Sequence, residues 1–218
     1  MTARVVLLDN QDSFVYNLVD ALATMPNVEF TVFRNTVTVD RVLDVEPDVV
    51  ILSPGPGYPA DAGCMMELIE RIQGTIPILG ICLGYQALIE HFGGRVTPCG
   101  PVHGVSESMY LTEEGIGHPL FRGLTTDNGP EHGDTPGRLV PVARYHSLGT
   151  VEVPNGLIPL ARITGENGDV VMAAESEDGM SIGFQFHPES ILTPQGPVIL
   201  ERSITQLLDH STKGSTNG

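Results

Sequence analysis

The chain has 218 residues, three cysteines and a formal net charge of −16 at pH 7. No apolar run reaches the roughly 18 residues that a membrane span needs, and the negative charge disfavours nucleic acid and anionic membranes as partners. The cysteines are irregularly spaced and form no CxxC pair, so we expect no disulfide framework, no metal and no cofactor. The free thiols and the lack of a signal-peptide pattern predict a cytoplasmic protein.

Apolar periodicity in the first half alternates between strand and helix patterns. Short continuous apolar runs are typical of strands covered on both faces, and spacings of three and four residues indicate helices. Asp12 or Ser13 is the expected cap of the first helix. The alternation predicts an α/β fold with a mostly parallel central sheet and helices on both faces. The predicted elements are a strand at Val5–Leu8, a helix at Phe14–Leu22, strands at Val28–Phe33 and Val49–Leu52, a helix at Met65–Ile72, a strand at Ile76–Ile81 and a helix at Leu83–Phe92.

The second half changes character over Arg95–Gly183, where many short β-like runs are separated by glycine and proline. This pattern predicts a smaller antiparallel β region. We expect Thr125–Gly137 to be a loop. A strand ending at Phe186 and a helix at Ile199–Leu208 close the predicted fold. The tail, residues 211–218, is expected to be disordered.

Cys82 lies where an apolar run breaks between Gly80 and Gly84. A strand that turns sharply into a helix strains its corner residue, and side chains two positions away would clash with the turn. GxCxG therefore resembles the G-x-S-x-G nucleophile elbow, with cysteine in place of serine. The helix N-terminus would stabilise a Cys82 thiolate, and the N–H of Leu83 would face a developing oxyanion. The alternative is a small buried cysteine beside a turn.

His187 is the best placed of the seven histidines to act as a base for such a cysteine. It follows the apolar run IGFQF and therefore emerges at the end of a predicted strand. Pro188 fixes the chain after it, and Glu189 is placed to orient the imidazole as the third member of a triad. Taken alone, the sequence HPE is more simply a turn with a solvated histidine and glutamate.

Ser53–Pro59, with the sequence SPGPGYP, follows another predicted strand. Two glycines between prolines give a rigid turn, which lacks the lysine and hydroxyl of a phosphate-binding P-loop. We interpret the N–H of Gly57 as a second oxyanion donor, and a plain tight turn is the alternative. This loop, Asp9–Ser13 and the Cys82 turn all follow the carboxyl ends of strands, where open parallel sheets carry their active sites.

Five motifs occur along the chain: DNQDSFVYNL at Asp9–Leu18, LSPGPGYP at Leu52–Pro59, GICLGYQ at Gly80–Gln86, RYHSL at Arg144–Leu148 and FHPESI at Phe186–Ile191. Together and in this order they resemble the class I glutamine amidotransferases. The resemblance covers about Val5 to Leu208, which corresponds to one domain over residues 1–210. Within the family, the motifs look closest to the glutaminase subunit of anthranilate synthase, component II, and the related subunit of aminodeoxychorismate synthase is very similar.

The resemblance implies a particular set of site residues. It implies a Cys–His–Glu triad of Cys82, His187 and Glu189, which hydrolyses L-glutamine through a cysteine thioester. It implies an oxyanion hole formed by the backbone N–H groups of Gly57 and Leu83. It also implies a substrate pocket, and the pocket residues are Gly55, Pro56, Gly57, Gln86, Ser147 and Leu148.

The resemblance further implies a heteromer in which ammonia passes to a synthase subunit that binds chorismate. That partner is component I of anthranilate synthase, in tryptophan biosynthesis, or component I of aminodeoxychorismate synthase, in folate biosynthesis; one glutaminase can also serve both. Two other classes of protein stay open. Gln86 and Ser147 argue against a cysteine hydrolase of another amide, and the intact Cys82 and His187 argue against an inactive interaction module.

The stretch HGVSES at His103–Ser108 departs from the family pattern. The family usually carries a lysine directly after HG, and Val105 stands there in this sequence. The segment is similar to a partner-facing loop, so the departure bears on how the partner is contacted and leaves the triad unaffected.

Overall fold

The computed structural model of the chain describes residues 2–100, 104–128, 136–165 and 168–214. The first half consists of β1 (Ala3–Asp9), α1 (Val15–Thr24), β2 (Val28–Arg34), α2 (Val39–Leu43), β3 (Val49–Leu52), α3 (Met65–Ile72), β4 (Ile78–Ile81) and α4 (Leu83–His91). The second half adds β5 (Thr97–Pro98), β6 (Val105–Leu111), α5 (Glu113–Gly117), β7 (Leu139–Arg144), β8 (Leu148–Gly149), β9 (Leu157–Ile163), β10 (Val170–Ser176), β11 (Ser181–Phe184) and α6 (Gly196–Gly214).

Within the described residues, nine strands form one sheet in the order β2-β1-β3-β4-β11-β10-β9-β6-β7. The strands from β2 to β11 in this order are parallel to one another. From β11 onward each neighbouring pair is antiparallel. The predicted α/β fold with a parallel centre and an antiparallel second half is therefore confirmed. The antiparallel strands continue the same sheet, and a small ribbon pairs β5 with β8.

Helices cover both faces of the parallel part of the sheet, as predicted. Val5 and Leu7 of β1 belong to the apolar layer that contains α1 and α6, whereas Val6 and Leu8 belong to the layer that contains α2, α3 and α4. Such a strand has no polar face, which explains its continuous apolar sequence. Burying each of these leucines stabilises the fold by roughly 1.5–3 kcal/mol. In the described part of the chain, no helix has both the length and the apolar character of a membrane-crossing segment.

Two local features of the first half differ from the prediction. Helix α2 has no counterpart among the predicted elements, because five residues carry little periodicity. The Thr38 side chain caps α2 by accepting a hydrogen bond from the N–H of Arg41. Helix α1 has no side-chain cap, so the prediction of Asp12 or Ser13 in that role is wrong. Asp12 Oδ1 instead accepts a hydrogen bond from the N–H of Phe14 at 2.6 Å, in the turn that precedes the helix.

Several element ends also differ by a few residues. Strand β4 begins at Ile78, after Pro77, because proline has no N–H for a sheet ladder. Strand β11 ends at Phe184, two residues before the predicted end. Helix α6 extends to Gly214, so residues 211–214 of the tail that the sequence predicts to be disordered are helical.

Parts of three predicted segments lie outside the described residues. They are residues 215–218 of the tail, residues 129–135 of the loop predicted at Thr125–Gly137, and His103 of the HGVSES stretch. The later part of that stretch begins β6, where Val105 is 40% exposed and pairs with Arg144 of β7.

The fold brings the chemically interesting segments to one edge of the sheet. Strands β1, β3, β4 and β11 are neighbours and run parallel, so their carboxyl ends meet there. The residues that directly follow these ends include Asn10, Ser53, Cys82 and Gln185. This is the edge at which open parallel sheets bind ligands.

Candidate active site

Cys82 forms a sharp corner between β4 and α4. Its backbone angles are φ 51° and ψ −99°, a conformation that costs a non-glycine residue on the order of 1–3 kcal/mol. The N–H of Cys82 donates to Phe184 O at 2.7 Å, and the N–H of Gln86 donates to Cys82 O at 2.9 Å. The side chain is 9% exposed. The strained corner therefore presents a nearly buried thiol at the N-terminus of a helix.

Close packing requires the glycines on either side of Cys82. A Cβ on Gly80 would lie 2.7 Å from the carbonyl oxygen of Gly84, and a Cβ on Gly84 would lie 2.4 Å from the carbonyl oxygen of Leu52. Both contacts involve backbone atoms, which cannot rotate away as a side chain can. Glycine at these two positions thus allows α4 to start directly against β3, and the elbow that the sequence predicts is present.

His187 and Glu189, the other two members of the predicted triad, follow the end of β11. His187 Nδ1 is 2.7 Å from Glu189 Oε1, and the imidazole lies close enough to the Cys82 side chain for the sulphur to raise its pKa. The side chains of His187 and Glu189 are buried. Because the carboxylate occupies Nδ1, Nε2 is the atom left for the sulphur. This is the order of nucleophile, base and orienting acid in a catalytic triad.

The neighbours of His187 decide its protonation. Burial alone would lower its pKa, but hydrogen bonds and negative charge from Cys82 and Glu189 outweigh burial and raise the pKa to about 10. At neutral pH His187 is therefore an imidazolium. Glu189 Oε2 is buried and has no hydrogen-bond partner among the described residues, so the imidazolium is the main group that offsets its negative charge.

Two aromatic rings hold the imidazole in place. The ring centroids of Phe14 and Tyr145 lie 5.3 and 5.1 Å from that of His187. The two rings also contact each other, with centroids 5.2 Å apart. Below the ring, the backbone oxygen of His187 accepts a hydrogen bond from Thr193 Oγ1 at 2.7 Å. With Cys82, residues from four of the five motifs thus meet at His187.

The Gly-Pro loop at Ser53–Pro59 packs against the elbow. A Cβ on Gly55 would lie 2.6 Å from Asn10 Cβ and 2.8 Å from Leu83 Cδ2, so only glycine permits this approach. Two hydrogen bonds from Asn10 hold Ser53 at the start of the loop. The N–H of Asn10 donates to Ser53 Oγ and its side-chain Nδ2 donates to Ser53 O, both at 2.8 Å.

The two predicted oxyanion donors come from this loop and from α4. Leu83 is the first residue of α4, and an N–H at that position has no partner within the helix. Gly57 is exposed and has a φ of 80°, a left-handed conformation that suits glycine. Pro56 beside it is also exposed. Leu83 touches the loop through Gly55, two residues from Gly57.

The remaining predicted pocket residues come from α4 and β8. Gln86 lies one helical turn after Cys82, is 3% exposed, and donates from Nε2 to Leu148 O at 3.1 Å. Leu148 is half-buried and Ser147 is exposed, so these two border the surface. The amide nitrogen of Gln86 is engaged within the protein, which leaves Oε1 as its atom for a ligand.

Sequence reasoning missed three buried polar residues at this site: Asn10, His146 and Gln185. Buried polar side chains are almost always hydrogen-bonded, so a polar residue in an apolar run predicts a partner. Gln185 is such a polar residue, within the apolar run IGFQF. The sequence does not identify its hydrogen-bond partner, because that partner is Gln86, 99 positions away.

The surroundings of His146 keep it neutral. Burial, followed by the positive charge of Arg144, lowers its pKa to about 4. His146 Nδ1 is 2.9 Å from Leu148 O, which only accepts, so the proton is on Nδ1. Nε2 accepts a hydrogen bond from Arg144 Nε at 3.4 Å, and Arg144 pairs with Glu107 of β6. A neutral histidine thus fixes the carbonyl to which Gln86 also donates.

A thiolate with an imidazolium acid beside it cleaves acyl compounds through a thioester, and donors at a helix N-terminus suit the oxyanion that forms. The fold and the site therefore fit an enzyme that cleaves amides with a cysteine nucleophile. Residues 6–207 match the family model of the class-I glutamine amidotransferases, and the chain belongs to that family. The resemblance that the five motifs indicated is confirmed.

Related proteins match almost the full chain. Anthranilate synthase component 2 of Corynebacterium glutamicum is 61% identical over 205 residues, which cover 94% of this chain and 98% of the relative. The protein of that name from Haemophilus influenzae is 39% identical over 212 residues, with coverage of 95% and 99%. A solved structure from Thermoplasma acidophilum has a TM-score of 0.72 at 20% identity, with coverage of 99% and 97%. A glutamine amidotransferase from Thermotoga maritima has a TM-score of 0.67 at 19% identity, with coverage of 98% and 99%.

Proposed function

We propose that this chain is the glutamine-hydrolysing subunit of an anthranilate synthase, which supplies ammonia for anthranilate formation from chorismate in tryptophan biosynthesis. The observation that carries the proposal is the buried arrangement of Cys82, His187 and Glu189 at a strained elbow. The 61% identity to Anthranilate synthase component 2 of Corynebacterium glutamicum supports the choice of pathway.

In the first half of the proposed reaction, the Cys82 thiolate attacks the side-chain amide carbon of L-glutamine and forms a C–S bond. The carbonyl oxygen becomes an oxyanion and accepts hydrogen bonds from the N–H groups of Leu83 and Gly57. His187 gives its proton to the amide nitrogen, the C–N bond breaks and ammonia leaves. The raised pKa of His187 suits this step, because the imidazole keeps its proton until the leaving group takes it.

In the second half, water hydrolyses the γ-glutamyl thioester. Neutral His187 takes a proton from the water as the new C–O bond forms. The C–S bond then breaks, glutamate leaves and the thiolate–imidazolium pair is restored. Glu189 orients the imidazole and stabilises its charged form in both halves.

The glutamine substrate is placed between the Gly-Pro loop and the β5–β8 ribbon. On one side are the backbone groups of Gly55, Pro56 and Gly57. On the other, Gln86 Oε1 accepts a hydrogen bond from the substrate amide, while Ser147 and Leu148 receive its α-amino and α-carboxylate groups. The pocket is supported by the packing of Gly55 on the elbow and by the bond from Gln86 to Leu148.

The proposed partner is component I of anthranilate synthase, which binds chorismate and uses the ammonia. The other candidate function for this chain is that of the glutaminase subunit of aminodeoxychorismate synthase, in folate biosynthesis. The relatives do not favour it, since those from Corynebacterium glutamicum and Haemophilus influenzae carry the anthranilate synthase name.

We further propose that residues 1–210 act as one domain in the cytoplasm. The family match over residues 6–207 supports a single unit of that length. Cys64, Cys82 and Cys99 are free thiols, as expected in a reducing compartment.

Reconstitution with component I of the Corynebacterium glutamicum enzyme tests the proposal. Anthranilate formation from chorismate is measured with glutamine or with an ammonium salt as nitrogen source. We expect glutamine to support product formation only when this chain is present, and ammonium to support it with component I alone. No glutamine-dependent product alongside a normal ammonium-dependent rate would contradict the assigned partner. Activation of an aminodeoxychorismate synthase component I instead would assign the chain to the folate enzyme.

A further inference from the structure

Gln185 is a fully buried amide whose position the triad does not explain. It directly follows β11, is 0% exposed, and its backbone N–H donates to Met172 O at 2.9 Å. Its side chain points at the elbow: Nε2 is 3.7 Å from Cys82 Sγ, and Oε1 is 3.2 Å from Gln86 Nε2. A buried amide needs a partner at each end, and one of the two partners here is the reacting sulphur.

The carbonyl of Leu148 fixes which end of each amide points where. A carbonyl oxygen only accepts hydrogen bonds, so the Gln86 atom beside Leu148 O is the nitrogen. The second hydrogen on that nitrogen points to Gln185, so the atom that receives it is Oε1. The nitrogen of Gln185 is then the end that faces Cys82 Sγ, where it acts as a donor.

We propose that Gln185 is a catalytic residue, which donates an amide N–H to the Cys82 sulphur and stabilises the thiolate. A charged sulphur is a much better acceptor than a neutral one, so the same contact favours the ionised form over the thiol. The donor is buried and already oriented, so little reorganisation is needed when the charge appears. This inference rests on the proposed glutamine hydrolysis and deepens it by adding a group outside the triad and the oxyanion hole.

The contact serves both halves of the reaction. Before attack it stabilises the thiolate beside the His187 imidazolium. In the thioester the sulphur is neutral and accepts only weakly, so the interaction is lost. When the C–S bond breaks during hydrolysis, the leaving thiolate regains the N–H donor. Gln185 therefore acts on the sulphur while Leu83 and Gly57 act on the substrate oxygen.

The test is the pH dependence of the alkylation of Cys82 by iodoacetamide, which reacts with thiolates and requires neither glutamine nor a partner. Cys64 and Cys99 are first replaced by alanine, so that Cys82 is the only thiol left. Gln185→Met then removes the donor at nearly constant volume. We expect the pH of half-maximal alkylation to rise by about one unit, the rate below that pH to fall about tenfold, and the limiting rate at high pH to change little.

Gln86→Met is the matched control, because it keeps the Gln185 donor and removes only the group that orients it. We expect the pH of half-maximal alkylation to rise in this variant as well, but by less than in Gln185→Met. A midpoint equal to that of wild type would show that Gln86 does not orient Gln185. A folded Gln185→Met protein with the wild-type midpoint overturns the proposal, as does equal slowing at every pH, which indicates altered access. If thermal unfolding shows that Gln185→Met does not fold, Gln185→Leu takes its place with the same criteria.

Alkylation and turnover together separate this inference from the proposed function. Suppose that Gln185→Met shifts the pH of half-maximal alkylation but the wild-type chain does not hydrolyse glutamine with its partner. The role of Gln185 toward the sulphur would then stand, and the proposed function would be refuted. Normal hydrolysis with an unshifted midpoint would keep the function and refute the role of Gln185.

Discussion

Glu189 shows how one buried carboxylate sets the chemistry of its neighbours. Its side chain is 0% exposed, one oxygen holds His187 Nδ1, and the other has no hydrogen-bond partner among the described residues. A buried carboxylate so poorly solvated strongly favours a positive charge beside it. In the proposed mechanism it therefore orients the imidazole and favours its protonated form when the sulphur attacks.

Glu189→Gln should leave the fold intact, because the two side chains have nearly the same shape. Without the negative charge the pKa of His187 falls, and the imidazolium is less stable. We expect kcat for glutamine hydrolysis in the complex to fall on the order of a hundredfold or more, with a smaller change in KM. Steady-state kinetics of glutamate release measure both constants.

The chain offers a matched control in a second histidine–glutamate pair. His118 Nε2 is 2.9 Å from Glu175 Oε2, and both side chains are mostly buried. Glu175→Gln makes the same chemical change at a pair outside the elbow, so kcat should stay within about threefold of wild type. Equal kinetic losses in Glu189→Gln and Glu175→Gln would mean that Glu189 acts through stability alone.

Spacing along the sequence is enough to predict the proposed triad but not the residues that support it. Cys82 sits between glycines, and Glu189 is two positions from His187, so both relations can be predicted from short stretches. Gln185 and His146 are different. Gln185 is defined by Gln86, 99 positions away. His146 bonds to Arg144 and Leu148 nearby in the sequence, but its burial depends on the whole fold. The sequence shows only a polar residue where burial is expected.

At the scale of elements, the elbow depends on how closely α4 approaches β3. Gly84→Ala would place a Cβ 2.4 Å from the carbonyl oxygen of Leu52. Forcing a methyl group into such a contact costs typically 1–3 kcal/mol of folding free energy, and the resulting shift also moves Cys82. We expect a lower free energy of unfolding in urea and a loss of glutaminase activity in whatever protein folds.

Gly117→Ala provides the comparison for that variant. Gly117 ends α5, and a Cβ there would meet no atom within 4 Å. Alanine also favours helix over glycine by up to about 1 kcal/mol, so the change should be neutral or slightly stabilising. Similar unfolding free energies for the two variants would show that α4 and β3 are not as tightly packed as the structure indicates.

Element prediction succeeds where burial creates a long or clean pattern. The observed bounds of β3 and α3 are those predicted, because β3 is buried on both faces and α3 buries one clear stripe. Helix α2 has only five residues, and β5 and β8 have two each. Such short elements depend on their neighbours in the fold and leave no readable period in the sequence.

At the scale of the whole molecule, His146 links folding stability to pH. Its pKa is lowered from the usual 6.5 to about 4 by burial and by Arg144. The unfolded chain therefore binds a proton at this residue below about pH 6.5, while the folded chain stays neutral until about pH 4. Above about pH 6.5 the titration of His146 does not reduce the free energy of unfolding. As the pH falls from 6.5 toward 4, this titration lowers the free energy of unfolding by about 2–3 kcal/mol.

His146→Asn removes this titration while keeping a donor in the position of Nδ1. We expect the variant to be less stable than wild type at pH 7, because packing and the bond from Arg144 are lost. Between pH 7 and pH 4.5 its unfolding free energy should fall less than that of wild type, by about 2 kcal/mol. Urea unfolding of both proteins at several pH values measures the difference, and parallel curves would contradict the neutral, buried state of His146.

In the proposed function, Cys82 is the nucleophile that hydrolyses glutamine for a synthase partner. The most direct measurement is glutamate release from L-glutamine by the complex with component I, compared between wild type and Cys82→Ser. The serine variant should fold normally and lose all measurable turnover, because its hydroxyl is not ionised as the thiol is. Cys64→Ala and Cys99→Ala should retain turnover. Glutamine hydrolysis by Cys82→Ser at the wild-type rate would contradict the account.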